Sequence, residues 1–270
     1  DIVSFERALS PKTKAIFIES LANPGGVVVD IAAIAAIAKK AGVPLIVDNT
    51  MATPYLCRPF EHGADIIVHS LTKFMGGHGN SLGGVIVDSG KFPWAKYPKR
   101  FHMLNEPEEA YHGVIYTEAM GEAAYIARVR TVPLRNTGSA ISPMNAFLIL
   151  QGMQTLPLRM ERHCDNALAV VEYLKKHPKV AWVKFAGLPD SPYFELAKKY
   201  TRGRPSALLS FGIKGGFDAA VKFYDALNLF VRLVNIGDVK SLAAHPASTT
   251  HRQLSTQELE SAGVTPDMIR

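Results

Sequence analysis

Cysteine is scarce in this chain: Cys57 and Cys164 stand far apart, with no metal-ligand spacing around either. That excludes a disulfide framework and fits a reducing compartment, the cytoplasm. Long hydrophobic runs are also missing. The most apolar stretch, Val27 to Ala38, is interrupted by Asp30 and followed by Lys39-Lys40, too short to span a bilayer. Charge of one sign is only mildly in excess, with 30 Lys and Arg against 24 Asp and Glu. A net charge of +6 welcomes acidic ligands without demanding nucleic acid. The densest basic patch, Lys96-Tyr97-Pro98-Lys99-Arg100, reads as a solvated loop. Dinucleotide and phosphate-loop glycine fingerprints are absent. His69, His78, His102 and His112 are not set at short helical ligand spacing, so no metal is expected. Asp1-Ile2-Val3-Ser4-Phe5 lacks the basic-then-apolar pattern of a secretion signal, and it lacks methionine, so a processed or truncated chain is expected.

What is present is an ordinary globular composition. Of 270 residues, 47% are hydrophobic and 20% charged, enough apolar material for one large domain or two modest ones. Lys14 to Ser20 reads as a strand and Asn23-Pro24-Gly25-Gly26 as a turn. Asp30 caps a predicted helix in which Ile31, Ile34, Ile37 and Ala38 recur at helical spacing, and Gly42 ends it. Strands follow at Val43 to Val47, Asp65 to Val68 and Gly84 to Asp88. Alternating strands and helices predict an α/β sheet, largely parallel and covered on both faces. Ser142-Pro143 opens a long helical pattern over Ala146 to His177, with a break marked by Pro157. Beyond Pro178, strand-like runs at Val180 to Phe185, Ala207 to Ile213 and Phe230 to Val234, and a helical one at Phe217 to Leu227, predict a smaller α+β domain.

In α/β sheets, ligands sit beyond the carboxyl ends of the strands. Asp48 ends one predicted strand, Lys73 follows the end of the next, and Asn23 follows the first. Ser70 and Thr72 flank the lysine. A partly desolvated lysine amine is nucleophilic and can form an imine. A carboxylate can hold a proton on a pyridine nitrogen, and hydroxyls with backbone N–H groups can hold a phosphate. Together these are what pyridoxal phosphate (PLP) requires of a protein. Taken singly, each has a plainer reading: Lys73 as a loop lysine, Asp48 as a turn residue, Gly76, Gly77, Gly79, Gly83 and Gly84 as a flexible loop.

The run Ser70-Leu71-Thr72-Lys73-Phe74-Met75-Gly76-Gly77-His78 resembles the lysine motif of the Cys/Met-metabolism family of PLP enzymes. Glu19 to Pro24, Val47 to Thr50 and Ser241 to Ser248 match further family segments in the same order. The resemblance covers essentially the whole chain. It implies a type I, aspartate-aminotransferase-like α/β fold: a large PLP-binding domain with a mainly parallel sheet over 1–177, incomplete and ending in a long connecting helix, and a small α+β domain over 178–270. By resemblance, Lys73 is the Schiff-base lysine that also moves the Cα proton, and Asp48 pairs with the pyridine nitrogen. Ser70 and Thr72 match phosphate ligands. Asn23 matches the asparagine beside the cofactor's phenolic oxygen and the substrate carboxylate. Ser241 matches a serine near lysine and substrate. Arg270 matches the arginine that clamps the α-carboxylate, where a planar fork suits two oxygens.

His245 to Leu254, Tyr111-His112-Gly113-Val114 and Arg135-Asn136-Thr137-Gly138 resemble the branch of the family that acts on O-acetylhomoserine. The implied reaction is γ-replacement by sulfide or a thiol, giving homocysteine or methionine, in a homotetramer of dimers with shared sites. Members of the family are longer. The parts expected to be missing would supply an aromatic that stacks on the cofactor ring, a glycine-containing phosphate loop, and a tyrosine and arginine that reach a neighbouring subunit's phosphate. Three rival readings stand: a cystathionine γ-synthase, cystathionine lyase or methionine γ-lyase activity on the same site; an α/β dehydrogenase; and a non-catalytic assembly module.

Overall fold

The computed structural model describes residues 2–23 and 26–270. Pro24 and Gly25 of the expected turn lie outside the described residues; on either side, Leu21–Ala22 pairs antiparallel with Val27–Val28. The first sheet is built from β1 (Ile16–Glu19), β2 (Leu45–Asp48), β3 (Ile66–Ser70) and β4 (Gly84–Asp88), in that order. The first three strands are parallel and β4 runs antiparallel to β3. This is the expected α/β sheet, with strand ends within two or three residues of the predicted ones.

Helix α1 (Ile31–Ala41) returns the chain from β1 to β2. It starts where Asp30 accepts from the Ala33 N–H and stops at Gly42, which is left-handed. Its buried stripe, Ile31, Ile34, Ile37 and Ala38, packs with Ile16, Ile18, Leu45, Val47 and Ile67 from one face of the sheet. Burial of each large aliphatic side chain contributes roughly 1.5–3 kcal/mol. The opposite face is treated unevenly. Around Ile66 it is covered by Phe92, Trp94, Phe101, Leu104, Tyr116 and Ala124, on a segment of short helical turns. On the two edge strands, Phe17 of β1 is 58% exposed and Ile86 of β4 is 41% exposed. Cover on both faces, expected from the sequence, is thus partial on this side.

Helix α2 (Pro143–Gln154) begins at the Ser142 cap, and α3 (Leu156–Lys176) follows after a break at Thr155, beside Pro157 as predicted. Leu156, Met160 and Cys164 on α3 enter the first core; Leu174 enters a second core with Phe211, Ile213 and Ile269. That second core lies on an antiparallel sheet of β5 (Val180–Lys184), β6 (Ser210–Ile213) and β7 (Met268–Ile269), ordered β7-β6-β5. Helix α4 (Phe194–Thr201), which periodicity did not reveal, sends Ala197 and Tyr200 into the first core. Helix α5 (Gly216–Asp225) covers the second sheet through Ala220. The strand expected over Phe230 to Val234 contracts to Val231–Arg232, because Leu233 and Val234 leave the ladder and stand exposed. Among the described residues, no helix is long and apolar enough to cross a membrane.

Asp30 ties α4 to α1. Beyond capping α1, its carboxylate accepts a short hydrogen bond from the Tyr200 hydroxyl and pairs with Lys199 at 3.2 Å. Burial works to raise the Asp30 pKa, but the Tyr200, Lys199 and Ala33 hydrogen bonds together hold it below the ordinary 3.8. A depressed carboxylate stabilises the fold above its unfolded pKa, and that share is lost as pH falls through the folded value. Asp30→Ala should therefore cost about 1–2 kcal/mol at neutral pH. In urea melts the gap from the parent should shrink as pH drops below about 4. A gap that widens on acidification would contradict this.

Candidate active site

The carboxyl ends of β2 and β3 are locked together. The Asn49 N–H donates to the Val68 carbonyl at 3.0 Å, and the Ser70 N–H donates to Thr50 Oγ1 at 2.8 Å. Thr50 also donates its N–H to Asp48 Oδ1 at 2.9 Å, so one threonine fixes the carboxylate and the neighbouring strand end. Asn49, fully buried, accepts from Ser20 Oγ at 2.7 Å and donates to the carbonyls of Thr53 and Cys57 at 3.1 and 2.9 Å. This network holds Thr53 at a left-handed φ of 59°, an unfavourable state for a β-branched residue. The polar run Asp48-Asn49-Thr50 after an apolar strand was visible in the sequence; the roles of Asn49 and Thr50 were not.

Lys73 sits half-buried on a tight turn. Its N–H donates to the Ser70 carbonyl, and the Gly77 N–H returns to the Lys73 carbonyl at 2.7 Å. The Thr72 hydroxyl accepts from the Gly83 N–H at 3.1 Å and donates to the Gly83 carbonyl at 3.3 Å, pinning the glycine loop. Arg159 of α3 straps the turn from beneath: its guanidinium donates to the carbonyls of Phe74, Met75 and Gly152 at 2.6, 3.2 and 2.7 Å. Phe74 and Met75 are buried, and α2 approaches so closely that a Cβ on Gly152 would lie 2.0 Å from the Gly76 carbonyl oxygen. No local sequence pattern marks Arg159, which lies 85 positions from its partner Phe74.

The far end of the chain returns to this rim. Arg270 exchanges two backbone hydrogen bonds with Ala244, and its guanidinium donates to Asn23 Oδ1 at 2.9 Å. Burial lowers the Arg270 pKa from its ordinary value, but the group stays a cation. Ser241 accepts at its backbone oxygen from the Val231 N–H, and the residue is exposed. The side chain that reaches the Lys73 amine is instead Asn235, with Oδ1 3.5 Å from Nζ. His69 is buried; burial lowers its pKa, against the charge of Asp48 and a hydrogen bond to the Asn49 backbone. His163 on α3 is likewise lowered by burial and by Arg159, against the opposing charge of Asp238.

Two features test the fit to PLP. Among the described residues, the Lys73 ammonium has no acidic partner within 4.0 Å, although the Asp48 carboxylate stands at the same rim. Asp48 Oδ1 accepts a single backbone hydrogen bond, which leaves the second oxygen for a donor. An amine without an acid and an acid without a cation suit an aldehyde and a pyridinium respectively. The Ser70 and Thr72 hydroxyls lie beside them on the turn. The residues present fit the group.

A model of the Cys/Met metabolism PLP-dependent enzymes matches residues 1–270. The chain belongs to this family. It is 52% identical to an O-acetyl-L-homoserine sulfhydrylase of Leptospira meyeri, covering 100% of this chain and 63% of that protein. It is 52% identical to a homocysteine synthase of Schizosaccharomyces pombe, covering 97% and 61%. Among solved structures, an O-acetylhomoserine (thiol)-lyase of Campylobacter jejuni superposes with a TM-score of 0.94 at 42% identity, over 100% of this chain and 64% of that one. That structure carries N'-pyridoxyl-lysine-5'-monophosphate. The chain thus spans a little over three fifths of the length of these relatives. Membership makes the α/β architecture that of a type I PLP enzyme and makes PLP the cofactor of the family.

Arg159→Met keeps most of the side chain's packing but takes the donor from the Phe74 and Met75 carbonyls, while the Gly152 carbonyl keeps Thr155. It should lower the unfolding free energy by about 2 kcal/mol or more in urea titrations. A loss below about 0.5 kcal/mol would mean that the strap carries no load.

Proposed function

We propose that the protein catalyses γ-replacement on O-acetylhomoserine, with sulfide or a thiol as nucleophile, giving homocysteine or methionine and acetate. The observation that carries this reading is the half-buried Lys73 amine, without an acidic partner among the described residues, on a rim shared with Asp48 and the Asn23–Arg270 pair. The names of the Leptospira and Schizosaccharomyces relatives support the substrate. Bound pyridoxal phosphate supplies an electron sink for the carbanion at Cα. Lys73 holds the cofactor by its amine and takes and returns the Cα proton. Asp48 keeps a proton on the pyridine nitrogen. Ser70 donates its hydroxyl to the phosphate, and Thr72 does so by turning its hydroxyl proton away from the Gly83 carbonyl. Arg270 grips the substrate α-carboxylate, and Asn23 orients both that guanidinium and the carboxylate; Ser241 stands at the substrate side. In the net reaction the Cγ–O bond to acetate breaks and a Cγ–S bond forms, with the sulfur's proton balancing the released acid.

In this reading, 1–177 form the cofactor-binding domain and 178–270 the small domain that delivers Arg270. The protein works in the cytoplasm as a homotetramer. Exposed Met144, Phe147 and Leu150, spaced along α2, support association.

With O-acetylhomoserine and sulfide, the purified protein should release homocysteine and acetate in equal amounts. Lys73→Ala should slow turnover by more than about 10²-fold. An undiminished rate in that variant would refute the role of Lys73. Turnover of cystathionine or methionine alone, with none of O-acetylhomoserine, would transfer the assignment to a lyase of the same family.

A further inference from the structure

The segment 235–239 is fitted to the Lys73 turn more closely than a passing loop requires. The Val239 N–H donates to the Gly77 carbonyl at 2.8 Å. Gly237 has φ +86°, and a Cβ there would lie 2.5 Å from the Phe74 nitrogen, so this loop rides directly on the residue after the lysine. Between these anchors Asn235 presents its amide to the amine. The orientation of that amide is fixed chemically. Asp238 is buried and, as a carboxylate, only accepts hydrogen bonds; its Oδ2 faces Asn235 Nδ2 at 3.2 Å, and its Oδ1 accepts from the Lys240 N–H at 3.0 Å. With Nδ2 committed to Asp238, the oxygen must face the Lys73 amine, which only donates when charged. Position 79 leaves room for the pair: a Cβ on Gly79 would lie 2.6 Å from Asp238 Oδ2 and 2.9 Å from Asn235 Nδ2.

We propose that Asn235, oriented by Asp238, is the resting partner of the Lys73 amine whenever that amine is not bonded to the cofactor. The inference rests on the reading of Lys73 as the cofactor lysine. In that cycle the amine is released, moves a proton and must return to the same carbon. A neutral acceptor keeps it on station, while a carboxylate at the same position would hold it as an ammonium and suppress its nucleophilicity. The choice of an amide is therefore functional: it supplies direction without charge, and the charge that fixes it is placed one residue further from the amine. Asn235 is thus a positioning residue, whose effect passes through Lys73.

Other charged and titratable groups lie on the elements packed about the turn. They are Asp48 and His69 on the strand ends, His78 in the glycine loop, Arg159 and His163 on α3, and Asp238 and Lys240 beside Asn235. Only Asn235 is within hydrogen-bond reach of the amine among the described residues.

The test follows acetylation of Lys73 by acetic anhydride in the cofactor-free protein, mapped by mass spectrometry from about pH 6 to about pH 11. Asn235→Asp should move the midpoint of labelling at Lys73 upward by about one pH unit or more. Asn235→Leu, which removes the acceptor for the charged amine, should move it downward. A merely structural role would shift both variants in the same direction or neither, and either result overturns the proposal. Where Asn235→Asp shows no cooperative thermal melt, the downward shift in Asn235→Leu decides alone. Adding pyridoxal phosphate separates the two readings. Opposite labelling shifts without any cofactor linkage at Lys73 would retain the Asn235 contact and remove the cofactor assignment.

Discussion

The site depends on keeping an ammonium and a carboxylate at one rim without letting them pair. Left free, Lys73 and Asp48 would gain Coulomb energy by closing on each other. The backbone prevents it. Thr50 holds Asp48 from one side and the start of the lysine turn from the other, and Arg159 fixes the turn from below. In the proposed function, each group is left with an unmet need that a pyridoxal ring and aldehyde would satisfy together. The cost is visible elsewhere: a threonine held at positive φ, a buried asparagine bonded to two carbonyls, and an arginine spent on three backbone oxygens and the Thr155 hydroxyl.

The second constraint comes from the far part of the chain. Arg270 and Asn235 lie on segments that follow the long α3 helix, yet both return to the rim of the first sheet. Asp30 with Tyr200 and Lys199 ties α4 to the start of α1 on another flank. The roles proposed for Arg270 and Asn235 therefore depend on how these later segments sit against the first sheet. Changes at such junctions are expected to act on the site without touching it.

Much of this was legible in the sequence, for physical reasons. Strands ending in Asp48 and before Lys73 were readable because buried parallel strands are short apolar runs bounded by polar residues. The cap at Asp30 and the stop at Gly42 were readable because both work within a few residues. What escaped had its cause at a distance. Helix α4 is a single short amphipathic stretch whose burial depends on Tyr200 meeting Asp30, 170 positions away. The segment covering Ile66 consists of turns too brief to show a period. Asn235 and Arg159 have meaning only through contacts that folding creates, and Ser241, singled out by resemblance, stands exposed while Asn235 meets the amine.

The most direct measurement is the site of covalent attachment. The protein, mixed with pyridoxal phosphate, reduced with borohydride and digested, should yield one modified peptide, with the phosphopyridoxyl group on Lys73. A label scattered over surface lysines, or none on the peptide that contains Lys73, would contradict the account at its centre.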